Sequence, residues 1–201
     1  AWRNEALLGR ADVRVRSAAP EEIDLGIAGF KGIYKESKDA GERGYSMFRI
    51  VEALMAKGDF ASAVGEAGFY LNEGGSEFVP QLRLMLARSY QELGSTDEAI
   101  NEYARVWSTH TDDLGLSAPA MNGWMQLVWA RNRDDVNPPD RQSAYDEGMR
   151  YLDRTRELVP ATKDEDLGAW HEVEQAVKTF GTSPGIKSAV INGEPDDLTK
   201  K

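Results

Sequence analysis

The chain has no cysteine, which excludes disulfides, thiolate zinc sites and cysteine nucleophiles at once. Histidine is nearly absent too, with only His110 and His171 in separate segments. His171-Glu172 begins like the zinc-protease helix motif, but Gln175 stands where the second histidine ligand is needed. No apolar run approaches the roughly eighteen residues that cross a bilayer. The longest, such as Val51–Ala56, sit inside a helical pattern. Positive charge is in deficit, with 24 Lys and Arg against 34 Asp and Glu for a net −10. Duplex nucleic acid is therefore a poor partner, because phosphate binding needs a basic surface that releases counterions. The acidity reads first as solubility.

Phosphate and metal signatures are missing as well. There is no Gly-x-x-x-x-Gly-Lys-Ser/Thr cradle, and Gly26, Gly29 and Gly32 have the wrong spacing for a dinucleotide loop. Asp134-Asp135 and Asp164-Glu165-Asp166 carry the oxygens that calcium prefers, without the alternating ligands and glycine of a helix–loop–helix site. No carboxylate spacing points to glycoside hydrolysis. No catalytic residue, metal or cofactor is expected. What remains is a 201-residue chain, 41% hydrophobic and 29% charged, long enough for one domain with a sizeable core. It opens Ala-Trp rather than with Met. That start reads as a processed or trimmed piece and leans towards an exported or envelope-attached protein, with the compartment left undetermined.

The most informative stretch is Pro80 to Thr111. Leu82, Leu86, Ser89/Tyr90 and Leu93 recur three and four apart, one face of a helix. Gly94 then permits the left-handed conformation that ends a helix. Ser95 and Thr96 are N-cap types, and Asp97 and Glu98 put negative charge at the positive end of the next dipole. A second stripe runs through Ala99, Ile100, Tyr103, Val106 and Trp107. These are two antiparallel helices on a very short turn. The spacing of Leu86, Ala87, Tyr90, Gly94, Ala99 and Tyr103 resembles a tetratricopeptide repeat, a helix–turn–helix unit of about 34 residues. Arg83 stands where that family has Trp, and Thr111 where it closes with Pro.

The rest of the chain is read in the same way. Residues 1–16 form a short amphipathic helix through Trp2, Ala6, Leu7 and Val13, locally basic because four arginines face Glu5 and Asp12. Pro20-Glu-Glu starts a helix to about Lys38, striped by Ile23, Ile27, Phe30 and Tyr34. Its glycines at 26, 29 and 32 make a ridge where another helix comes close. Lys38 to Gly44 is a polar turn. Tyr45–Lys57 and Asp59–Glu73 form a hairpin in which Leu54, Gly58 and Ala63 mirror Tyr90, Gly94 and Ala99. Ala67 replaces the large residue at Tyr103, so this copy is degenerate. A third hairpin pairs Ala118–Asn132 with Arg141–Leu158 across an insertion at 131–140. There Trp124-x-x-Leu127, Gly148, Leu152, Thr155 and Pro160 keep family spacing. Residues 164–181 give a capping helix, and 182–201 a flexible tail whose Ala189-Val-Ile191 could dock on the body.

The resemblance implies an all-α fold. It would be a right-handed α-solenoid in one domain, 1–181, with hairpins at about 45–75, 80–111 and 118–160. In that family the first helix of each pair lines a concave groove that holds a peptide or partner helix. Carried across by spacing, the groove would show Tyr45, Phe48, Glu52 and Met55, then Gln81, Leu84, Arg88, Gln91 and Glu92. The third unit would add Asn122, Met125, Trp129, Asn132 and Arg133. Phe48, Met125 and Trp129 are read equally as inter-helix core. The lysine and asparagine set that grips a C-terminal carboxylate in some relatives is missing, which argues against chaperone-tail binding. The expectation is a non-enzymatic scaffold or adaptor for a protein or peptide. A homo-oligomeric subunit of an envelope-associated complex is one alternative. A helical glycan-active enzyme is another, and it would need Asp134, Asp135 or Glu172 converging in a cleft.

Overall fold

The computed structural model describes residues 2–17, 19–131 and 139–187, and among these every regular element is helical. In chain order they are α1 (Trp2–Val15), α2 (Pro20–Glu36), α3 (Ala40–Ala56), α4 (Phe60–Asn72), α5 (Val79–Glu92), α6 (Thr96–Thr109), α7 (Leu114–Arg131), α8 (Pro139–Thr155) and α9 (Asp164–Gly181). A short 3₁₀ turn, Arg156–Ala161, follows α8.

The turns explain the pairing. Gly58, Gly74 and Gly94 all have φ near +75°, a conformation that glycine adopts without the Cβ penalty. After α3, Asp59 N–H donates to the Leu54 carbonyl and Gly58 N–H to that of Met55; Ser95 and Gly94 repeat this with Tyr90 and Gln91 after α5. This double closure satisfies carbonyls that a helix end leaves free. The equivalence of Gly58 and Gly94 is thus a backbone geometry and not only a spacing. Ser95 differs from expectation: its hydroxyl caps nothing, whereas the Asp59 carboxylate accepts from Ser62 N–H at 3.1 Å. The 38–44 segment also differs. Asp39 accepts from Glu42 N–H at 2.8 Å and so caps α3 at Ala40, turning most of the expected polar turn into helix.

Packing proceeds from neighbour to neighbour, and each odd-numbered helix also touches the next odd-numbered one, from α1 through α9. One core of Phe30, Met47, Ile50, Val51 and Leu82 joins the early helices, and another of Met121, Met125, Tyr145, Trp170 and Val173 joins the last three. Leu84, Ala87, Ala99, Tyr103, Val106 and Ala120 link the two. The α2 glycine ridge is a packing groove at two of its three positions. A Cβ on Gly26 would lie 2.9 Å from Val15 N, and one on Gly29 3.3 Å from the Ala11 Cβ, while one on Gly32 would meet nothing.

A tyrosine laid on a glycine recurs where successive units meet. Tyr103 of α6 covers Gly123 of α7, where an added Cβ would be 2.6 Å from the ring. Tyr70 of α4 covers Gly75, and its hydroxyl donates to the Glu77 carbonyl at 3.1 Å. Around Trp170 a buried polar chain forms: the indole N–H donates to Thr155 Oγ1 at 2.8 Å, and Thr155 donates to the Tyr151 carbonyl at 2.8 Å. Beyond α9 the chain stays on the body as far as Lys187. Its backbone N–H and carbonyl meet the two ends of the Gln142 amide at 2.8 and 3.2 Å. Ala189–Ile191 lie outside the described residues.

Candidate functional site

The expected binding residues sit on α3, α5 and α7, but each group has a different environment. On α3, Tyr45 donates to Asp12 Oδ2 at 2.6 Å, and Arg49, 8% exposed, donates through Nε to Asp12 Oδ1 at 2.6 Å. Arg49 also pairs with Glu52. Burial pushes the Tyr45 phenol up, and the carboxylate it bonds adds to the effect. Tyr45 and Arg49 therefore fasten α1 to α3, and Glu52 meets Arg49 from within α3. Phe48 is half-buried and stacks on Phe78 at 5.3 Å. Phe78 itself takes φ +57° at the start of α5, a left-handed conformation that costs a bulky residue about 1–2 kcal/mol. Its contacts with Phe48 and Tyr45 hold it there.

On α5, Arg88, Gln91 and Glu92 are exposed, and Gln81 is half-buried. Leu84, at 7% exposure, belongs to the core beneath them. Gln91 accepts from the Tyr103 hydroxyl at 2.8 Å. Burial pushes that phenol up to about 12, which the Arg88 charge partly opposes. On α7, Met125 is fully buried. Trp129 is half-buried between partners, with Phe180 stacked nearly parallel at 3.8 Å and the Arg141 guanidinium 5.1 Å from its ring centre. Asn132 and Arg133, with Asp134 and Asp135, lie outside the described residues. The structure thus brings Tyr45, Phe48 and Glu52 together, and Arg88 with Gln91. It ties Trp129 into the α7–α9 contact.

A feature the sequence reading missed lies between α7 and α9. An open groove of about 510 Å³ runs between them, lined by Asn122 and Gln126 from α7 and by His171, Glu172, Gln175 and Thr179 among others from α9. Asn122 Nδ2 donates to Glu172 Oε2 at 2.7 Å, and Gln126 Nε2 donates to Asn122 Oδ1 at 3.0 Å. The helical spacing of 168, 171, 172, 175 and 179 was visible as one polar face of α9. Only the packing of α7 on α9 makes it one wall of a groove.

No group of three His, Asp or Glu among the described residues is placed to hold a metal ion. Among those residues, too, no helix is long and apolar enough to cross a membrane. Comparison of the chain with protein-family models, with curated proteins and with solved structures returned no match in any of the three.

Proposed function

We propose that the chain is a non-enzymatic scaffold: a right-handed α-solenoid of tetratricopeptide type whose odd-numbered helices form a concave face for a protein or peptide partner. The observation that supports this most is the contact of each odd-numbered helix with the next. Such contact is what stacked repeats make when one helix of every pair lies beside the next. In this reading the face would carry Arg88, Gln91 and Glu92 of α5 and Gln126 of α7, all exposed, and the half-exposed Phe48 of α3. Such a mixture of aromatic and polar groups is typical of binding surfaces.

Affinity capture from the native source tests the proposal. An Arg88→Ala/Glu92→Ala variant, both positions exposed, is expected to keep its helical circular dichroism and to lose a partner that the wild type retains. An unchanged set of captured proteins would overturn it. A second reading, self-association through the other side of the fold, is favoured by Leu25 and Phe69, 47% and 51% exposed on α2 and α4. Light scattering of the purified chain at several concentrations separates the two.

A further inference from the structure

We propose that the surface of α8 around Gln142 is a binding site for an extended segment of a partner protein. The segment carries one aliphatic residue and is read, at the residue after it, through its backbone. Residues 182–187 of the chain itself fill the site as a resident ligand. The site is separate from the odd-numbered face proposed above.

The seated segment shows what the site accepts. Ser183-Pro-Gly-Ile186 is a tight turn: Ile186 N–H donates to the Ser183 carbonyl at 3.3 Å, and Gly185 has φ +87°. Proline and glycine stand at the two positions where such a turn prefers them. The turn reverses the chain after α9 and lays the half-buried Ile186 on the core of the last three helices. Lys187 then gives both its backbone groups to one side chain. Its N–H donates to Gln142 Oε1 at 2.8 Å, and its carbonyl accepts from Gln142 Nε2 at 3.2 Å. An extended residue presents this same pair to a neighbouring strand. Neither contact involves the lysine side chain.

The clamp is set without the segment. Gln142 and Asp146 lie one turn apart on α8, and Nε2 donates to Asp146 Oδ1 at 2.8 Å. A carboxylate only accepts, so Asp146 holds the amide with Oε1 and its second N–H side by side. These two groups match the backbone of any residue, and selection falls to the aliphatic anchor one place earlier. Backbone pairing for affinity with a side-chain seat for specificity is how sheet edges recognise peptides. Past Ser183 the resident is fixed by its own turn, Ile186 and the Gln142 amide. Ordering the chain opposes even these contacts, so a competing segment can displace it.

NMR titration of the isotope-labelled full chain tests this with the blocked hexapeptide of residues 182–187. The readout is the Gln142 side-chain amide signal, identified by its loss in Gln142→Leu. Ile186→Asp removes the resident's anchor. Gly185→Val, at a φ that β-branched residues avoid, releases the resident by a second route. Both should keep their helical circular dichroism. Each released protein is expected to bind the peptide about tenfold more tightly than wild type, as follows from a resident closed about nine-tenths of the time. With a released protein, methylating the peptide's lysine backbone nitrogen, or changing its isoleucine to alanine, should each weaken binding about tenfold. Changing its lysine to alanine should alter binding less than about threefold. Equal binding to wild type and released proteins, an unweakened N-methyl peptide, or no binding to either released protein would each overturn the proposal. A wild-type signal that moves with protein concentration would assign the site to a second copy and overturn the partner named here.

Discussion

Replacing Gly123 with alanine tests how the α5–α6 pair is seated on α7. The new Cβ would stand 2.6, 2.7 and 2.9 Å from three carbons of the Tyr103 ring, against an ordinary carbon–carbon contact of about 3.5–4 Å. The ring must therefore retreat by roughly 1 Å. It has little room to do so: Tyr103 is 3% exposed, packs among Ala99, Val106 and Ala120, and is tethered through its hydroxyl to Gln91. Overpacking of this kind costs about 1–3 kcal/mol, and the tether places it near the upper end. Alanine returns up to about 1 kcal/mol of helix propensity, so the net loss should be about 2 kcal/mol. For a domain of this size that lowers Tm by about 4–8 °C. Gly65→Ala in α4 is the control, because there the same methyl meets nothing within 4 Å. It should gain up to about 1 kcal/mol. Adding Tyr103→Leu to Gly123→Ala should recover part of the loss, a coupling readable from a double-mutant cycle. Thermal and urea unfolding measure all five proteins: wild type, Gly123→Ala, Tyr103→Leu, the double variant and Gly65→Ala. A Gly123→Ala protein as stable as wild type would refute the close contact and the seating built on it.

Thr155→Val, nearly the same shape, leaves the buried Trp170 indole N–H without its acceptor; a loss of about 1–3 kcal/mol is expected in urea unfolding followed by tryptophan fluorescence. Alkali should weaken the fold. Burial pushes the Tyr151 phenol up to about 12 from 10.0, so the unfolded chain releases this proton first. The contribution is complete below pH 10 and fades as pH climbs towards 12, a loss of about 2–3 kcal/mol at most. Tyr151→Phe, compared with wild type from pH 9 to 11.5, should flatten that decline. Finally, Asp12→Ala removes the acceptor of both Tyr45 and the buried Arg49, and should cost about 2–3 kcal/mol. Limited proteolysis should then release α1 before the remaining helices.

The parts of this fold legible in the sequence were those specified locally. Gly58 and Gly94 each end a helix through a backbone geometry that few other residues tolerate, and Leu86, Ala87 and Ala99 are buried, as their spacing requires. Legibility fell where a distant partner decided the outcome. Leu93 continues the apolar stripe of α5 but stands 47% exposed at its end, because the chain turns away there. The seven residues before Tyr45 looked polar and loop-like, yet Asp39 caps Ala40 to Gly44 into helix, and Gly44 lies against Glu77. Trp129 could be assigned to neither core nor groove until Phe180 and Arg141 were seen beside it. The groove beneath α9 was hidden for the same reason. A polar helix face reads as solvent-facing unless one knows which helix runs alongside.

The neighbour-by-neighbour packing has a mechanical consequence. Helices several places apart share little direct contact, so rigidity decays along the body, and the two ends open more readily than the middle. A ligand lying across several odd-numbered helices would brace segments that the chain itself leaves independent. Its arrival should raise the melting temperature and also draw separate local openings into one sharper transition.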